Sequence, residues 1–332
     1  MKASVDNFYF QFRLCSCLSL APFISLCILV SSCKKEKTTF VFAELNSGIS
    51  HDLNDIYFVN DTTGYTCGGD RYIEGNILKT TDGGATWMPQ GENLEKALNR
   101  INFISSDTGF IVGIDGKMYK TLDGGNTYIL YQSGRYQPLH DVWMLNAHKG
   151  FCCGGDGYKT GYIYTTNDGG DSWSIDTFPQ EFRSLFFTDE ETGFVAGYGA
   201  IFKTIDGGVN WQFTTASGDF FQSVYFTNGQ TGYVVGSEGT ILKTTDGGTN
   251  WKHLRNGNNL LQETWHLEQI VFRNSTEGYI IGEKGLFLKT TNAGESWEEV
   301  ENAPLINLHG ISLTEDGGYL CGEGGKIYRF LE

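Results

Sequence analysis

The sequence predicts an all-β protein, a seven-bladed β-propeller with four-stranded antiparallel blades. A phrase of the type ILKTTDGGATW recurs six times, and its central residue, Asp in five copies and Asn in the sixth, is spaced 41, 45, 38, 40 and 46 residues apart. Each copy follows the same segment marked by a turn Gly. A period near 40 residues is typical of propeller blades. The chain of 332 residues also has 44 Gly but 5 Pro, which indicates many tight turns between short strands.

The order of strands within a blade can be predicted from the fifth repeat, residues 223–251. There VYF, YVV and ILKTT are β-rich runs separated by turns at Gly232 and at SEG, and Trp251 opens a fourth run after DGG. Short apolar runs with Gly at each connection predict four strands joined by hairpins. We expect the glycines to occupy left-handed positions or positions of close backbone approach.

The seventh repeat, residues 311–332, contains three such runs and then the sequence stops. The alternating segment 38–45, TTFVFAEL, is a candidate for the missing outer strand. Pairing the two ends of the propeller would close the ring and remove exposed sheet edges. We therefore expect a composite last blade, closed by the N-terminal strand, and a propeller domain over residues 39–332.

Residues 1–32 have the pattern of a lipoprotein signal peptide. The apolar run Leu14–Val30 is 17 residues long, which is short for a membrane span. The residues LVSSC, ending at Cys33, resemble the lipobox of bacterial lipoproteins. The resemblance implies a lipid on Cys33, a tether over 33–38 and export to the bacterial cell envelope, with the lipid anchoring the chain at the outer membrane. An ordinary signal peptide and an uncleaved anchor are the alternatives.

Composition excludes some classes of function. The net charge is −15, from 24 Lys and Arg against 39 Asp and Glu, so a nucleic-acid partner bound through a basic surface is not expected. The sequence has no phosphate-cradling loop, HExxH helix or G-x-S-x-G elbow. We therefore expect neither a cofactor nor a metal.

The cysteines downstream of Cys33 are interpreted as buried and inert. Aligning the repeats by their turn glycines places Cys67, Cys153 and Cys321 in one column, where the other repeats carry Val, Ala or Ile. Equivalent positions in different blades are too far apart for a disulfide, and neighbouring Cys152 and Cys153 point to opposite faces of a strand.

The Thr-x-Asp-x-Gly-x-x-Trp phrase resembles the Asp-box, or BNR, repeat of sialidases, sortilin-type receptors and some glycoside hydrolases. With TGYVVG before the box and DGG inside it, the full unit is most similar to propellers related to the photosystem II stability/assembly factors. This resemblance covers residues 41–332. It implies a propeller that holds a membrane-protein partner through an arginine-rich face.

The box residues are interpreted as structural. They recur at one hairpin position in every complete repeat, where a carboxylate can accept hydrogen bonds from the backbone N–H groups of its own turn. The sixth box has an amide at this position, which can accept the same bonds and which argues against catalysis. The six residues are Asp82, Asp123, Asp168, Asp206, Asp246 and Asn292.

One column of residues is the candidate binding site. At the start of each predicted first strand an apolar residue is followed by a polar one, whose chemistry differs between repeats. The polar members are Asn54, Asn99, His140, Arg183, Gln222, Glu268 and His309. Because first strands line the channel of a propeller, this column is expected to ring one channel mouth. A ligand-reading site and a solvated rim are both consistent with it. The neighbours His51, Asp55, Arg100 and Asp141 would enlarge such a site.

A sialidase-like hydrolase would need three convergent arginines and a Tyr–Glu nucleophile pair. Arg183 is the one Arg in the column, and the Arg-Ile-Pro motif of sialidases is absent from the sequence. The two-domain Asp-box glucanases have an inter-domain cleft that a single propeller lacks. We therefore expect a monomeric, non-catalytic propeller that binds a protein or glycan partner, with an Asp-box glycoside hydrolase as the alternative.

Overall fold

The strands of each repeat form one antiparallel sheet. The computed structural model describes residues 39–91, 94–214, 216, 218–259 and 264–332, and in these residues seven four-stranded sheets succeed one another. Residues 1–38, with the predicted signal peptide, Cys33 and tether, lie outside the described residues. From Thr39 onward the described residues form one compact unit. The predicted all-β, seven-bladed architecture is confirmed.

The first six blades each take four consecutive strands, ordered from the channel outward. They are β2 Leu53–Phe58, β3 Gly64–Asp70, β4 Glu74–Thr80 and β5 Met88–Gln90 in blade 1; β6 Leu98–Phe103, β7 Gly109–Gly113, β8 Lys117–Thr121 and β9 Ile129–Gln132 in blade 2; β10 Leu139–Met144, β11 Gly150–Asp156, β12 Thr160–Thr166 and β13 Ser174–Phe178 in blade 3. Next come β14 Phe182–Phe187, β15 Gly193–Gly197, β16 Ala200–Thr204 and β17 Gln212–Phe213 in blade 4; β18 Phe221–Phe226, β19 Gly232–Gly236, β20 Ile241–Thr244 and β21 Lys252–Arg255 in blade 5; β22 Leu267–Phe272, β23 Gly278–Gly282, β24 Phe287–Thr290 and β25 Glu298–Glu299 in blade 6.

Blade 7 combines β26 Leu308–Thr314, β27 Gly317–Gly322 and β28 Ile327–Leu331 with β1 Val41–Leu45. Short 3₁₀ turns lie at Ile114–Gly116, Glu283–Gly285 and Glu323–Gly325. Nowhere in the described ranges is there a helix both long and apolar enough to span a bilayer.

The two ends of the described chain meet in blade 7. Strand β1 pairs antiparallel with β28, with Val41 opposite Leu331. Just before β1, Phe40 is 2% exposed, and its ring centroid lies 5.6 Å from that of Phe287 and 6.2 Å from that of Phe330. The expected closure of the last blade by the N-terminal strand is therefore confirmed.

The hydrophobic cores lie between neighbouring blades. At five of the seven blade junctions, an aromatic residue after the turn glycine of one blade stacks on the aromatic residue near the end of the first strand of the next blade. Tyr65 stacks on Phe103 with ring centroids 4.1 Å apart, and Tyr319 of the last blade stacks on Phe58 of the first at 3.8 Å. Blade 2 instead packs Phe110 with Met144 of blade 3, and blade 6 packs Tyr279 with Leu313 of blade 7, so apolar contacts couple every blade to its neighbour.

The turn glycines are of the two kinds expected. A Cβ at Gly64 would lie 2.7 Å from the ring of Phe58, and one at Gly193 would lie 2.4 Å from the ring of Phe187. These positions need Gly because an aromatic ring packs directly on the backbone. In the Asp boxes, by contrast, Gly83 has a φ of +68°, in the left-handed region that favours Gly.

Each Asp box is a hydrogen-bonded turn between the third and fourth strands. Asp82 Oδ1 accepts from the Thr86 N–H at 2.9 Å and from Thr80 Oγ1 at 2.8 Å. The N–H of Gly83 donates to the Thr62 carbonyl at 2.9 Å, in the turn between the first and second strands. Both turns therefore lie on one face of the propeller, which we call the box face.

The four described cysteines are buried free thiols. Cys152 and Cys153 belong to two different inter-blade cores, one on each side of β11. Burial raises the pKa of all four thiols well above the ordinary value. A raised pKa leaves little thiolate, the form that reacts and binds metals.

Candidate binding site at the channel mouth

The structure brings all seven residues of the predicted column together. Each is the second residue of the first strand in its blade, and their half-buried side chains, with that of Arg100, line a cavity of about 230 Å³ at one end of the channel. We call the seven residues the ring and this side of the propeller the mouth face, which is opposite the box face. The ring comprises Asn54, Asn99, His140, Arg183, Gln222, Glu268 and His309.

Three ring members contact the backbone of the next blade. Asn54 Nδ2 donates to the Leu98 carbonyl and Asn99 Nδ2 to the Leu139 carbonyl, each at 2.7 Å. His309 Nδ1 lies 3.2 Å from the Leu53 carbonyl. These side chains help to hold neighbouring blades together, so part of the column has a structural use that the sequence pattern did not reveal.

A second part of the ring forms a charged cluster with a residue outside it. Glu181, 3% exposed, places Oε1 2.8 Å from Arg183 Nη2 and 3.4 Å from His140 Nε2. Burial, followed by the charge of Arg183, lowers the pKa of His140 to about 4. Burial alone would raise the pKa of Glu181, but His140, Arg183 and the Tyr158 N–H together lower it to about 2. At neutral pH the cluster is therefore an ion pair beside a neutral imidazole.

Glu268 is the one carboxylate in the ring. Burial raises its pKa, and the charge of His309 opposes this rise. The cavity wall thus changes from basic at Arg183 to acidic at Glu268. The sequence analysis did not single out Glu181, since it lies two residues before the column member Arg183 and most repeats have no carboxylate at that position.

The residue after each ring member lies between neighbouring blades, and in five blades its side chain accepts a hydrogen bond from a backbone N–H of the next blade. The bonds join Asp55 to Ile101 at 2.9 Å, Asp141 to Leu185 at 2.7 Å, Ser184 to Val224 at 3.2 Å, Ser223 to Ile270 at 3.3 Å and Gln269 to Ile311 at 3.0 Å. Buried N–H groups near the channel need such acceptors.

Blades 2 and 7 lack an acceptor there, because the position holds Arg100 and Gly310. Asp141 and Asp55, in the blades that follow, compensate by also accepting from an N–H of their own strands. Arg100 Nη1 lies 3.4 Å from Asp55 and its Nε 3.5 Å from Asp141. The three residues expected beside the site therefore form a buried carboxylate–guanidinium–carboxylate triad, of which Arg100 reaches the cavity wall.

The triad carboxylates bind protons more tightly than solvated ones. Burial raises the pKa of Asp141 to about 6, although the charge of Arg100 lowers it. Burial also raises the pKa of Asp55 against the same guanidinium. The fourth expected neighbour, His51, lies further out, with Nδ1 2.8 Å from Glu74 Oε1.

A larger groove of about 700 Å³ opens from the ring over blades 1 to 4. Asn54, Asn99, His140 and Arg183 line both the ring cavity and this groove, so the two are continuous. Its walls include the hairpins between the second and third strands of blades 1 and 3, at residues 69–71 and 155–158. The sequence analysis did not find the groove, although both hairpins begin with the same four residues, CGGD.

The other end of the channel is different in character. Tyr57, Trp143, Phe186 and Tyr225 line a cavity of about 380 Å³ there. The ring centroid of Phe186 lies 4.8 Å from that of Trp143 and 5.1 Å from that of Tyr225. The polar residues that a ligand-reading site needs are thus concentrated at the mouth face.

Across the described ranges, no three His, Cys, Asp or Glu side chains come together as a potential metal site. The Asp-box carboxylates are instead occupied by their own turns, as Asp168 shows by accepting from the Ser172 N–H at 2.9 Å and from Ser172 Oγ at 2.6 Å.

A model of the family described as photosynthesis system II assembly factor YCF48 matches residues 28–122 and 215–310, which together exceed half of the chain. The chain belongs to the YCF48 family. The matched stretches contain blades 1, 5 and 6 and most of blade 2. The suspected resemblance to the photosystem II assembly factor propellers is confirmed.

Solved YCF48 structures have the same fold. One described as YCF48 bound to D1 peptide is 18% identical with a TM-score of 0.69, over 90% of this chain and 96% of that one. YCF48 from Cyanidioschyzon merolae is 16% identical with a TM-score of 0.69, over 87% and 98%. An ancestral GH74 enzyme is 16% identical with a TM-score of 0.68, over 87% of this chain and 46% of its own. No curated protein matches the chain.

At these identities the YCF48 structures share a fold with this chain, and the site must be interpreted from its own residues. Of the seven ring members, Arg183 alone is Arg, and it is paired with Glu181. The arginine-rich face that the resemblance implied is therefore not the ring of this chain.

Proposed function

We propose that this YCF48-family protein is a lipid-anchored, non-catalytic propeller of the bacterial envelope that binds a protein partner at its mouth face. The observation that carries the proposal is the continuity of the ring cavity with the groove, through residues of blades 1 to 4. A recess of about 700 Å³ is of the size that specific ligands occupy. The solved YCF48 structure described as bound to D1 peptide supports a peptide as the kind of ligand.

Within the recess, His140 and Arg183 are the best placed to read a partner. All four residues that line both cavities are polar, but the side-chain amides of Asn54 and Asn99 already donate to backbone carbonyls of the next blade. The guanidinium of Arg183 also lies over the ring of Phe220, 4.7 Å from its centroid, which fixes its orientation.

The direction of β1 supports an anchor that leaves the mouth face accessible. Val41 lies opposite Leu331, which in turn lies opposite Gly317 in a box-face turn of blade 7. The chain between Cys33 and Val41 spans at most about 29 Å when extended, so a lipid on Cys33 would keep Val41 within that distance of the membrane. The box face would then be held near the outer membrane and the mouth face would point away from it.

The partner proposal is tested by cross-linking and pull-down of the native lipoprotein from cell envelopes. A variant combining His140→Ala and Arg183→Ala is expected to lose the captured protein, whereas Lys252→Ala, on an outer strand, is expected to retain it. Thermal melting of all variants checks that the propeller is intact. If both variants pull down the same amount of partner, the mouth face is not the binding site.

The anchor and the absence of catalysis have separate tests. Cys33→Ser is expected to move the protein from the membrane fraction to the soluble fraction, and a variant that stays with the membrane contradicts the lipid anchor.

Incubation with sialosides and β-glucans is expected to give no products. Measured turnover would instead favour the glycoside hydrolase alternative.

A further inference from the structure

Two hairpins on the mouth face carry the same eleven-residue pattern. Residues 67–77 read CGGDRYIEGNI and residues 153–163 read CGGDGYKTGYI, identical at seven positions. Both hairpins are longer than that of blade 2, whose second strand ends at Gly113. They extend to the pairs Asp70–Glu74 and Asp156–Thr160. We call them the twin hairpins; they stand on either side of blade 2.

The fold itself requires the shared glycines. A Cβ at Gly69 would lie 2.2 Å from the Glu74 carbonyl oxygen, and one at Gly75 would lie 2.3 Å from that of Lys96. In the second hairpin, a Cβ at Gly161 would lie 1.9 Å from the carbonyl oxygen of Gln180. Each hairpin is thus packed against the segment that enters the next blade, where no side chain fits.

The fold does not require the side chains of the shared Asp, and it leaves the shared Tyr largely exposed. Among the described residues, no side chain or backbone group forms a hydrogen bond or ion pair with the carboxylate of Asp70 or Asp156, and both line the groove. The rings of Tyr72 and Tyr158 are 59% and 52% exposed. Asp70 lines one wall of the groove, and Asp156 and Tyr158 line the other, whereas the ring of Tyr72 faces the cations of Arg71 and Lys96. Two equivalent carboxylates without partners, facing one groove beside an exposed aromatic ring, are typical of a ligand site.

One of the twin hairpins is held in an unusual conformation. Tyr158 has a φ of +66°, and its N–H donates to Glu181 Oε2 at 3.0 Å. Its ring centroid lies 4.9 Å from that of Tyr198 and 5.5 Å from that of Phe220, so three aromatic rings form one partly exposed cluster. A bulky residue in the left-handed region is rare and is retained where its surroundings fix it. The buried Glu181 is the group that fixes it here.

The charge of the groove indicates what it would bind. Arg183 and Glu181 neutralise each other across 2.8 Å. The remaining residues with permanent charge in the lining are Asp52, Asp70, Arg71 and Asp156. A surplus of carboxylates beside the exposed ring of Tyr158 is complementary to a Lys or Arg side chain, whose charge pairs with the carboxylate and whose stem lies on the ring.

We propose that the twin hairpins grip an extended segment of the partner protein, with a Lys or Arg side chain of that segment held between Asp70 and Asp156 and an apolar side chain placed on the Tyr158–Tyr198–Phe220 cluster. The inference rests on the proposed function, since it assigns the chemistry of the partner at the same mouth face. It does not use the ring residues, so the two can be tested apart.

The test is a display library of random twelve-residue peptides selected against the full-length chain in detergent. We expect enrichment of peptides with a Lys or Arg near an apolar residue. An enriched peptide should bind the variant combining Asp70→Asn and Asp156→Asn at least about tenfold more weakly. The matched control combines Asp61→Asn with Asp107→Asn, two exposed carboxylates in turns of the box face, and should bind the peptide as the unmodified protein does.

A second variant, Tyr158→Ala, should weaken the same peptide while thermal melting stays close to that of the unmodified protein. Peptides without a basic residue, or equal binding by the hairpin and control variants, overturn the inference. If such peptides still need His140 and Arg183, the proposed function stands without it. A neutral glycan that binds through Asp70 and Asp156 in place of any peptide overturns the protein partner itself.

Discussion

At the scale of single residues, the boxes contain a natural comparison between an acid and an amide. Asn292 accepts from the Ser296 N–H at 3.0 Å and its Nδ2 donates to Ser296 Oγ at 2.9 Å. Asp168 accepts both bonds from Ser172. These bonds, with the Ser172 hydroxyl first, lower the pKa of Asp168 to about 2.

Because the folded pKa of Asp168 lies below the unfolded value of about 3.9, its charge stabilises the fold above that value, and the contribution is lost as pH falls towards about 2. An Asn has no such dependence. We expect Asp168→Asn to be folded but less stable than the unmodified protein near neutral pH, with the difference shrinking in acid. Thermal melting from about pH 6 to about pH 2 measures it. A difference independent of pH would contradict the role of the charge.

The sixth box also contains a strained residue. Ala293 has a φ of +58° where the corresponding Gly83 of the first box has +68°. A side chain in this region costs about 1 kcal/mol or more. We expect Ala293→Gly to stabilise the protein by about 0.5–1 kcal/mol, allowing for the greater freedom of Gly in the unfolded chain. Ala85→Gly, an exposed turn residue without positive φ, is the control and should not stabilise, as chemical denaturation can check.

The sequence predicted which residues meet at the mouth but not how each is used. Periodicity places one polar residue per blade at the channel, and that arrangement follows from the fold alone. Whether Asn54 reaches a carbonyl or His140 meets Glu181 depends on distances between blades, which no pattern within one repeat contains. Glu181 could have been noticed only as a carboxylate two residues before a column member, a position that Asp52 occupies in the first repeat.

At the scale of elements, β1 is the strand on which closure depends. Its pairing with β28 was predictable, because the last repeat lacks a strand and residues 38–45 alternate. The long hairpins were equally visible as two extra residue pairs before Ile77 and Ile163. An alignment of the repeats by their turn glycines does not show these hairpins, because it compares the residues of the second strand and not the length of the turn that follows.

Closure by β1 predicts an unequal response along one strand. Phe40 is 2% exposed and packs on Phe287 and Phe330, whereas Val41 next to it is 60% exposed. We expect Phe40→Ala to destabilise the protein by about 3 kcal/mol, as for other buried Phe residues, and Val41→Ala to change stability by less than about 0.5 kcal/mol. Denaturant unfolding measures both. Deletion of residues 38–45 should lower the melting temperature further, and an unchanged melting temperature would refute closure.

At the scale of the whole molecule, a closed series of hydrogen bonds around the channel joins each blade to the next. In five blades, the side chain directly after the ring residue accepts a hydrogen bond from a backbone N–H of the next blade. In blades 2 and 7, a side chain two residues further along the same strand is the acceptor. There Asn102 Oδ1 accepts from the Met144 N–H at 3.1 Å, and Ser312 Oγ from the Phe58 N–H at 3.0 Å. Asn102 and Ser312 are polar where the other five blades have apolar or aromatic residues, and their hydrogen bonds continue the blade-to-blade series where Arg100 and Gly310 interrupt it.

Arg100 links blades 1 and 3 across blade 2, and its removal provides a test of this account. The side chains of Asp55 and Asp141 are 5% and 9% exposed, so without the guanidinium two buried carboxylates would have no cation. Breaking such a pair costs about 3–5 kcal/mol. We expect Arg100→Ala to lower the free energy of unfolding by about 3 kcal/mol at pH 8, measured in denaturant, with the fold otherwise retained.

The cost should depend on pH in a defined direction. Burial already raises the pKa of Asp141 to about 6, and loss of Arg100 raises it further, so near pH 5 Asp141 of the variant is protonated and the missing cation matters less. The difference in the free energy of unfolding between Arg100→Ala and the unmodified protein should therefore decrease from pH 8 to pH 5. Adding Asp141→Asn should recover part of the loss at pH 8, because it removes a buried charge that has no cation. The amide oxygen can keep the bond from the Leu185 N–H, but the bond from the Val142 N–H is lost, so the recovery is incomplete. If this difference is independent of pH, and Asp141→Asn restores no stability, Arg100 acts through packing rather than charge.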